Sequence, residues 1–167
     1  LMSQIERDVL LYDNSNGGVT FSGGEPLLQH VFLKQVLQEC KKRDIHTVLD
    51  TSGYASKEVF SSVLDYVDMF LFDLKLAEDA EHMLYTGVSN KIIKDNLRML
   101  VDLGRSNDII LRFPVVPGIT DTEKNIDGLA QFVSELKGIN EIDLLPFHDV
   151  SEKYNRLGMK YKTTARR

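Results

Sequence analysis

Cysteine is nearly absent from this sequence. The single cysteine, Cys40, cannot form an intrachain disulfide, and alone it cannot hold a zinc ion or an iron–sulfur cluster. It falls on or beside the apolar helical face that carries Val36 and Leu37, so we expect a buried, unreactive thiol. A lone cysteine is typical of a reducing compartment, which predicts a cytoplasmic protein.

The signals of membrane insertion and of nucleic-acid binding are missing as well. No apolar run approaches the ~18–20 residues that a membrane span needs, and residues 1–8 do not resemble a signal peptide. The 20 Lys and Arg residues are outnumbered by 25 Asp and Glu, so the formal net charge of −5 argues against nucleic acid as a partner. The 167 residues are 43% apolar and 27% charged, as in a globular domain.

A strand followed by a helix recurs along the chain. Short apolar runs end in glycine, proline or polar residues, and most are followed by helical spacing. The predicted strands are 18–22, 46–50, 69–73, 108–113 and 141–145. The predicted helices are 3–13, 26–39, 56–64, 90–103 and 121–136, with a short helix or turn at 151–158.

This alternation predicts an α/β fold, with a parallel sheet and helices outside it. A complete eight-unit barrel needs about 250 residues, so an open doubly wound sheet and a partial barrel both fit the sequence. No linker-like stretch divides the chain, and we expect a single domain over 1–167.

Polar residues and glycines collect after the predicted strands, where ligands of parallel sheets bind. The strand-end residues are Ser22, Gly23, Gly24 and Glu25, then Asp50, Thr51 and Ser52, then Asp73 and Lys75, then Arg112, and finally His148. Each also has a purely structural explanation. The glycines suit a turn, the acids suit caps, and either cation suits a buried acid as well as a ligand carboxylate. An exposed loop position would explain the histidine.

Five segments in order carry a family resemblance. Residues 17–29 resemble the Gly-Gly-Glu segment of radical S-adenosylmethionine enzymes. Residues 50–54, 72–75, 112–121 and 144–148 follow in the order found in glycyl-radical enzyme activating enzymes, and residues 154–161 are also similar to that family. The resemblance implies a partial (βα)6 barrel, of which about five strands are present.

The resemblance also implies an activity and its cofactors. The family uses S-adenosylmethionine and a [4Fe–4S] cluster to abstract hydrogen from a glycine of a partner such as pyruvate formate-lyase. A flavodoxin or ferredoxin is the electron donor that the resemblance implies. The cofactors supply this chemistry, and the protein positions them.

The resemblance assigns roles to the strand-end residues. Those expected to bind S-adenosylmethionine are Gly23, Gly24, Glu25, Asp73, Leu74, Lys75, Arg112 and His148. The first three would hold the methionyl amino group, residues 73–75 the methionyl or ribose part, and His148 the nucleoside end. A monovalent-cation site of this family matches Asp50, Thr51, Asp73 and the Leu71 carbonyl, whose oxygen ligands suit a hard cation.

The sequence departs from the family at one decisive point. The family binds its cluster through a Cys-x3-Cys-x2-Cys loop, and these residues contain no such motif. Cys40 cannot substitute, since the motif needs three thiolates. We therefore expect a truncated core, without the first barrel strand and the C-terminal end. We expect it to carry the cluster only as part of a full-length protein, to be inactive alone, and to self-associate through open sheet edges.

Two alternatives remain open at the sequence level. The chain could be a module without a cluster that binds S-adenosylmethionine or a partner enzyme. It could also be an unrelated α/β enzyme, such as a cation-dependent aldolase or hydrolase that uses Asp50, Asp73 and His148.

Overall fold

The computed structural model describes residues 1–148 together with Glu152, Arg156 and Gly158. The short helix or turn expected at 151–158 thus lies outside the described residues, apart from these three positions. The strands are β1 (Val19–Phe21), β2 (Thr47–Thr51), β3 (Met69–Asp73), β4 (Ile109–Val115) and β5 (Ile142–Pro146). The helices are α1 (Met2–Ile5), α2 (Val9–Ser15), α3 (His30–Lys41), α4 (Lys57–Ser61), α5 (Asp79–Thr86), α6 (Lys91–Asp102) and α7 (Glu123–Ser134).

All five strands form one parallel sheet in the order β1-β2-β3-β4-β5. Each crossover therefore steps to the next strand in the same direction. Because such crossovers are right-handed, they place their helices on one face of the sheet. A doubly wound sheet reverses its strand order instead. The sheet is thus an open part of a barrel wall, which decides between the two architectures left open by the sequence.

The two faces of the sheet differ in burial. On the outer face, which carries the helices, Phe70 and Phe72 of β3 are fully buried and pack with Phe60. On the opposite, inner face, the residues that alternate with them are half-buried, as Leu71 and Asp73 show. This alternation of period two puts the polar ends of β2, β3 and β4 on the inner face.

Cys40 lies in a smaller core that joins α1 to α3. Its side chain is 0% exposed and packs with Ile5, Val36 and Ile45. Burial raises the pKa of the Cys40 thiol, which keeps it protonated. The expectation of a buried thiol is confirmed. In the part of the chain that the structure describes, no helix is long and apolar enough to cross a membrane.

Besides shifts of a few residues at the ends of elements and a 3-10 start, Pro26–Gln29, to the helix expected at 26–39, the structure differs from the expected elements in three places. Helix α5 was not expected, because Met83, Leu84 and Tyr85 are exposed and leave no apolar stripe to detect. Strand β4 continues through Pro114, which lies beyond the last residue paired with β3 and so interrupts no pairing there. The helix expected at 3–13 is divided into α1 and α2 by a 3-10 turn, Glu6–Asp8.

Candidate functional site

A cluster of charged side chains lies on the inner face at the strand ends. Arg112 of β4 stands opposite Asp73 of β3 in the strand register. Its Nε and Nη2 donate to Asp73 Oδ1 at 2.9 Å and 2.7 Å. Nη2 also donates to Asp50 Oδ1 of β2, across the intervening strand. One guanidinium therefore holds the ends of three strands together.

Two further contacts extend this group. Lys75 Nζ lies 3.3 Å from Asp73 Oδ2, and Ser22 Oγ donates to Asp50 Oδ2 at 2.8 Å. We call Asp50, Asp73, Lys75 and Arg112 the charge cluster. Its two acids balance its two cations. The sequence analysis named Lys75 and Arg112 as possible partners for a buried acid, and both form ion pairs with Asp73.

The charge cluster stabilises the positive charge of Arg112 in a partly buried position. The side chains of Arg112, Asp50 and Asp73 are only 17%, 20% and 18% exposed. Burial tends to lower the pKa of Arg112, but the charges and hydrogen bonds of Asp73 and Asp50 outweigh it and raise the pKa above its ordinary value. A guanidinium with a planar set of donors suits a ligand carboxylate as well as these protein acids.

Glu25 anchors the loop after β1 to the end of β2. Its Oε1 accepts from Leu27 N at 3.2 Å and from Thr51 Oγ1 at 2.6 Å. Its Oε2 accepts from Ser52 N and Oγ at 2.9 Å and 2.6 Å. These four bonds fill the acceptor sites of the carboxylate. In this geometry Glu25 acts as a cap and brace, so a direct contact with a ligand amino group stays a prediction.

Gly23 and Gly24 leave open space above their backbone. A Cβ built on either glycine would meet no atom within 4 Å, so neither is required by packing. Gly23 has a φ of +144°, which favours glycine. Beside this loop lies a cavity of about 200 Å³, lined in part by Phe32 and Leu33 of α3. A ligand can therefore approach the backbone of the loop.

The remaining candidate residues occupy different surroundings. His148 is exposed and lies two residues beyond the end of β5, and Leu74 is buried. Leu71 is half-buried on the inner face, next to Asp50 in the strand register. Arg112 already bridges the two acids of the proposed monovalent-cation site, and Thr51 is bound to Glu25. That cation site stays a prediction.

Three buried asparagines were missed by the sequence reasoning. Asn90 and Asn125 bind the backbone of the loop after β3, and Asn96 binds that of the loop after β2. Their signal is a polar residue among the buried positions of a helix or at its N-cap. Asparagine is rarely buried without hydrogen-bonding partners, so each marks a loop that the fold holds in place.

Comparison with known proteins identifies the family to which the chain belongs. The family model described as the radical SAM superfamily matches residues 2–130. The chain belongs to the radical SAM superfamily. The alternative of an unrelated α/β aldolase or hydrolase is therefore wrong.

Curated relatives narrow this assignment within the radical SAM superfamily. Over 163 residues, the chain is 40% identical to the 4-hydroxyphenylacetate decarboxylase activating enzyme of Clostridioides difficile strain 630, covering 97% of this chain and 51% of the relative. It is 38% identical to the choline trimethylamine-lyase activating enzyme of Oleidesulfovibrio alaskensis, covering 96% and 53%. These homologues are glycyl-radical enzyme activating enzymes, as the resemblance implied. The chain spans about half the length of the curated relatives it matches.

Solved structures confirm the partial-barrel radical SAM fold. A domain of pyruvate-formate lyase-activating enzyme from Bacteroides vulgatus matches with a TM-score of 0.70 and 32% identity, covering 87% of this chain and 98% of that one. Streptococcus suis SuiB bound to S-adenosylmethionine matches with a TM-score of 0.64 over 90% of this chain and 36% of that one. At 18% identity, SuiB supports the fold alone.

The family implies two cofactors, and the residues of this chain fit them unequally. The strand ends offer charges of both signs and an open glycine loop, which suits the zwitterionic methionyl part of S-adenosylmethionine. A [4Fe–4S] cluster needs thiolate ligands. The one cysteine of the sequence, Cys40, is buried in the core between α1 and α3. These residues therefore do not supply the ligands of a cluster.

Proposed function

We propose that this chain is the S-adenosylmethionine-binding core of an activating enzyme for a glycyl-radical enzyme. The observation that carries the proposal is the charge cluster, which lies at the strand ends of a radical SAM fold. The open backbone of Gly23 and Gly24 supports it. The proposal covers residues 1–167 as one core domain, in the reducing cytoplasm that the single buried cysteine favours.

Different strand-end residues contact different parts of S-adenosylmethionine. The backbone of Gly23 and Gly24 receives the methionyl amino group, with Glu25 bracing the loop. Residues 73–75 contact the methionyl or ribose part, and Arg112 provides positive charge for the carboxylate. His148 contacts the nucleoside end. A monovalent cation held by Asp50, Thr51, Asp73 and the Leu71 carbonyl would have to displace Arg112 from the two acids.

The whole protein would act on a partner enzyme. With a reduced iron–sulfur cluster, S-adenosylmethionine supplies radical chemistry that removes a hydrogen atom from a glycine. A flavodoxin or ferredoxin is the electron donor we propose. Pyruvate formate-lyase is one candidate partner. The relatives are named for the activation of two lyases, a decarboxylase and a dehydratase, so the comparisons support the reaction class and not one partner.

Equilibrium dialysis with radiolabelled S-adenosylmethionine tests the binding site. We expect weak but saturable binding by the full chain. The resemblance implies that the amino and carboxylate groups of the ligand also chelate an iron of the cluster, and we do not expect this chain alone to carry that cluster. Arg112→Gln should reduce the binding several-fold. Arg7→Gln is the matched control, because Arg7 is exposed in the 3-10 turn between α1 and α2 and should leave binding unchanged. No saturable binding at millimolar ligand would contradict the proposal.

An assay for cleavage of S-adenosylmethionine tests whether this chain is catalytically active by itself. The chain is incubated anaerobically with iron, sulfide, dithionite and S-adenosylmethionine, and 5′-deoxyadenosine is measured by chromatography. We expect none above a blank without protein, because one buried cysteine cannot ligate the cluster. The choline trimethylamine-lyase activating enzyme serves as positive control. Product from this chain would overturn the expectation of inactivity.

A further inference from the structure

The loop between β3 and α5 is fixed by side chains from two other helices. This loop, residues 74–78, carries Lys75 of the charge cluster. Asn90, the N-cap of α6, donates from Nδ2 to Leu76 O at 2.9 Å and to Ala77 O at 3.0 Å. Leu76 and Ala77 are buried, so their carbonyls need hydrogen-bond partners within the protein, and these bonds hold the loop in one defined conformation.

Asn125 of α7 makes the most extensive of these contacts. Its side chain is 1% exposed. Oδ1 accepts from Ala77 N at 2.7 Å, while Nδ2 donates to Lys75 O at 3.0 Å and to Thr120 O at 2.8 Å. Only this orientation of the amide matches one N–H donor and two carbonyl acceptors. The Asn125 side chain therefore hydrogen-bonds to three backbone groups at once.

The Thr120 contact joins two strand-end loops. Thr120 lies in the connection between β4 and α7, and its Oγ1 accepts from Val116 N at 2.6 Å. Through Asn125, the backbone at Lys75 is thus tied to the segment that follows the strand of Arg112. The two cations of the charge cluster are held in register both by Asp73 and by this second, backbone connection.

Close packing reinforces the connection. Gly128 lies one helical turn after Asn125, and a Cβ on Gly128 would lie 2.7 Å from Ala77 Cβ. Helix α7 therefore packs directly against the loop, with glycine where any side chain would collide. Asn125 and Gly128, on one face of α7, both contact the loop at Ala77.

We infer that Asn125 is a positioning residue for the S-adenosylmethionine site, acting through Lys75. The inference rests on the proposed function, because it assumes that Lys75 contacts the ligand. Among the described residues, the hydrogen bonds of the Asn125 side chain all go to protein backbone. Its effect on the ligand is to hold the Lys75 backbone where the ammonium group can meet both Asp73 and the ligand.

A double-mutant cycle tests the inference. The dissociation constant for S-adenosylmethionine is measured by NMR titration of the full chain and of Asn125→Ala, Lys75→Met and the double variant. We expect Asn125→Ala to weaken binding about fivefold, and the double variant to bind as Lys75→Met does, because coupled residues are not additive. Independent, additive losses would show that Asn125 does not act through Lys75 and would overturn the inference.

Two further variants separate positioning from general stability. Leu136→Ala removes a buried side chain near the far end of α7 and should lower the melting temperature without changing ligand affinity. Asn125→Ser introduces no buried charge, and its shorter side chain cannot span the three backbone groups, so the connection between Lys75 and Thr120 is lost. It should fold and still bind several-fold more weakly. Binding equal to that of the unsubstituted chain would overturn the inference.

The outcomes also separate the inference from the proposed function. If the unsubstituted chain shows no saturable binding, the proposed site is wrong and the inference fails with it. If the unsubstituted chain binds and Asn125→Ala binds equally well, the proposed function stands and only the positioning role fails.

Discussion

Arg112 and Asp73 stand opposite each other on neighbouring parallel strands, and Arg112 Nε and Nη2 both donate to Asp73 Oδ1. The two residues are 39 positions apart in the sequence. Their meeting follows from the strand register, and it converts two strand-end charges into a fixed pair. The same guanidinium reaches Asp50 on the next strand but one, so Arg112 is the residue on which the charge cluster depends.

Removal of Arg112 should destabilise the fold. In Arg112→Gln, Asp50 and Asp73 lose their shared cation in a partly buried position, and we expect a loss of about 2 kcal/mol in the free energy of unfolding at pH 7. Urea denaturation followed by circular dichroism measures it. The double variant with Asp50→Asn should recover part of the loss, because one unpaired charge is removed. A double variant less stable than Arg112→Gln would contradict this account.

Acid should weaken the fold through Asp68. Burial alone tends to raise the pKa of Asp68, but hydrogen bonds from Thr47, and a hydrogen bond and charge from Lys41, hold that pKa below its usual range. A lowered folded-state pKa means stability that is complete above the unfolded pKa of about 3.9 and is lost as pH falls through the folded value.

The Asp68→Asn variant tests this. It should lose about 1 kcal/mol of unfolding free energy at pH 7 and show a flatter decline of stability between pH 5 and pH 2. Denaturant titrations across that range measure both effects. Asp65→Asn, at an exposed position in the neighbouring 3-10 turn, is the control and should behave as the unsubstituted chain. Equal acid profiles for Asp68→Asn and the control would refute the assignment.

Cys40 should react only when the protein unfolds. Its thiol is buried and burial raises its pKa, so both access and thiolate formation are suppressed. Labelling with a chromogenic disulfide reagent should be slow in native buffer. It should be immediate in about 6 M guanidinium chloride, a concentration at which we expect the protein to be unfolded. Stoichiometric labelling of the native protein within minutes would contradict the burial of this side chain.

The chain should self-associate at its β5 edge. In the described part of the sheet β5 pairs on one side only, and Ile142 and Leu144 are 51% and 65% exposed. Exposed apolar edges favour strand pairing between copies. Sedimentation velocity should show association that rises with concentration and falls in Leu144→Lys. Leu84→Lys, on the exposed face of α5, is the matched control. A monomer at every concentration would refute the prediction.

The sequence was sufficient to predict the strands and the strand-end residues, because apolar runs and turn residues mark each βα unit locally. Strand β3 begins and ends at the predicted residues, 69 and 73. The strand order was not accessible in this way, since periodicity does not report which strands are neighbours. The reach of Arg112 across β3 to Asp50 depends on that order.

Other features escaped prediction for physical reasons. Helix α5 has no apolar stripe, and its one buried side chain is the polar His82. Asn125 is a polar residue on the buried face of α7, and its partners lie 5 to 50 positions away in the sequence. Its role becomes visible only when the backbone of the loop after β3 is placed against the helix.

The central claim is that S-adenosylmethionine binds at the strand ends on the inner face. Titration of the 15N-labelled chain with S-adenosylmethionine, followed by backbone amide shifts, tests it most directly. The account predicts saturable shifts centred on Gly23 and Gly24, on residues 73–75 and on Arg112, with adenosine alone affecting fewer of them. An unchanged spectrum at millimolar ligand, or shifts confined to the helices of the outer face, would contradict it.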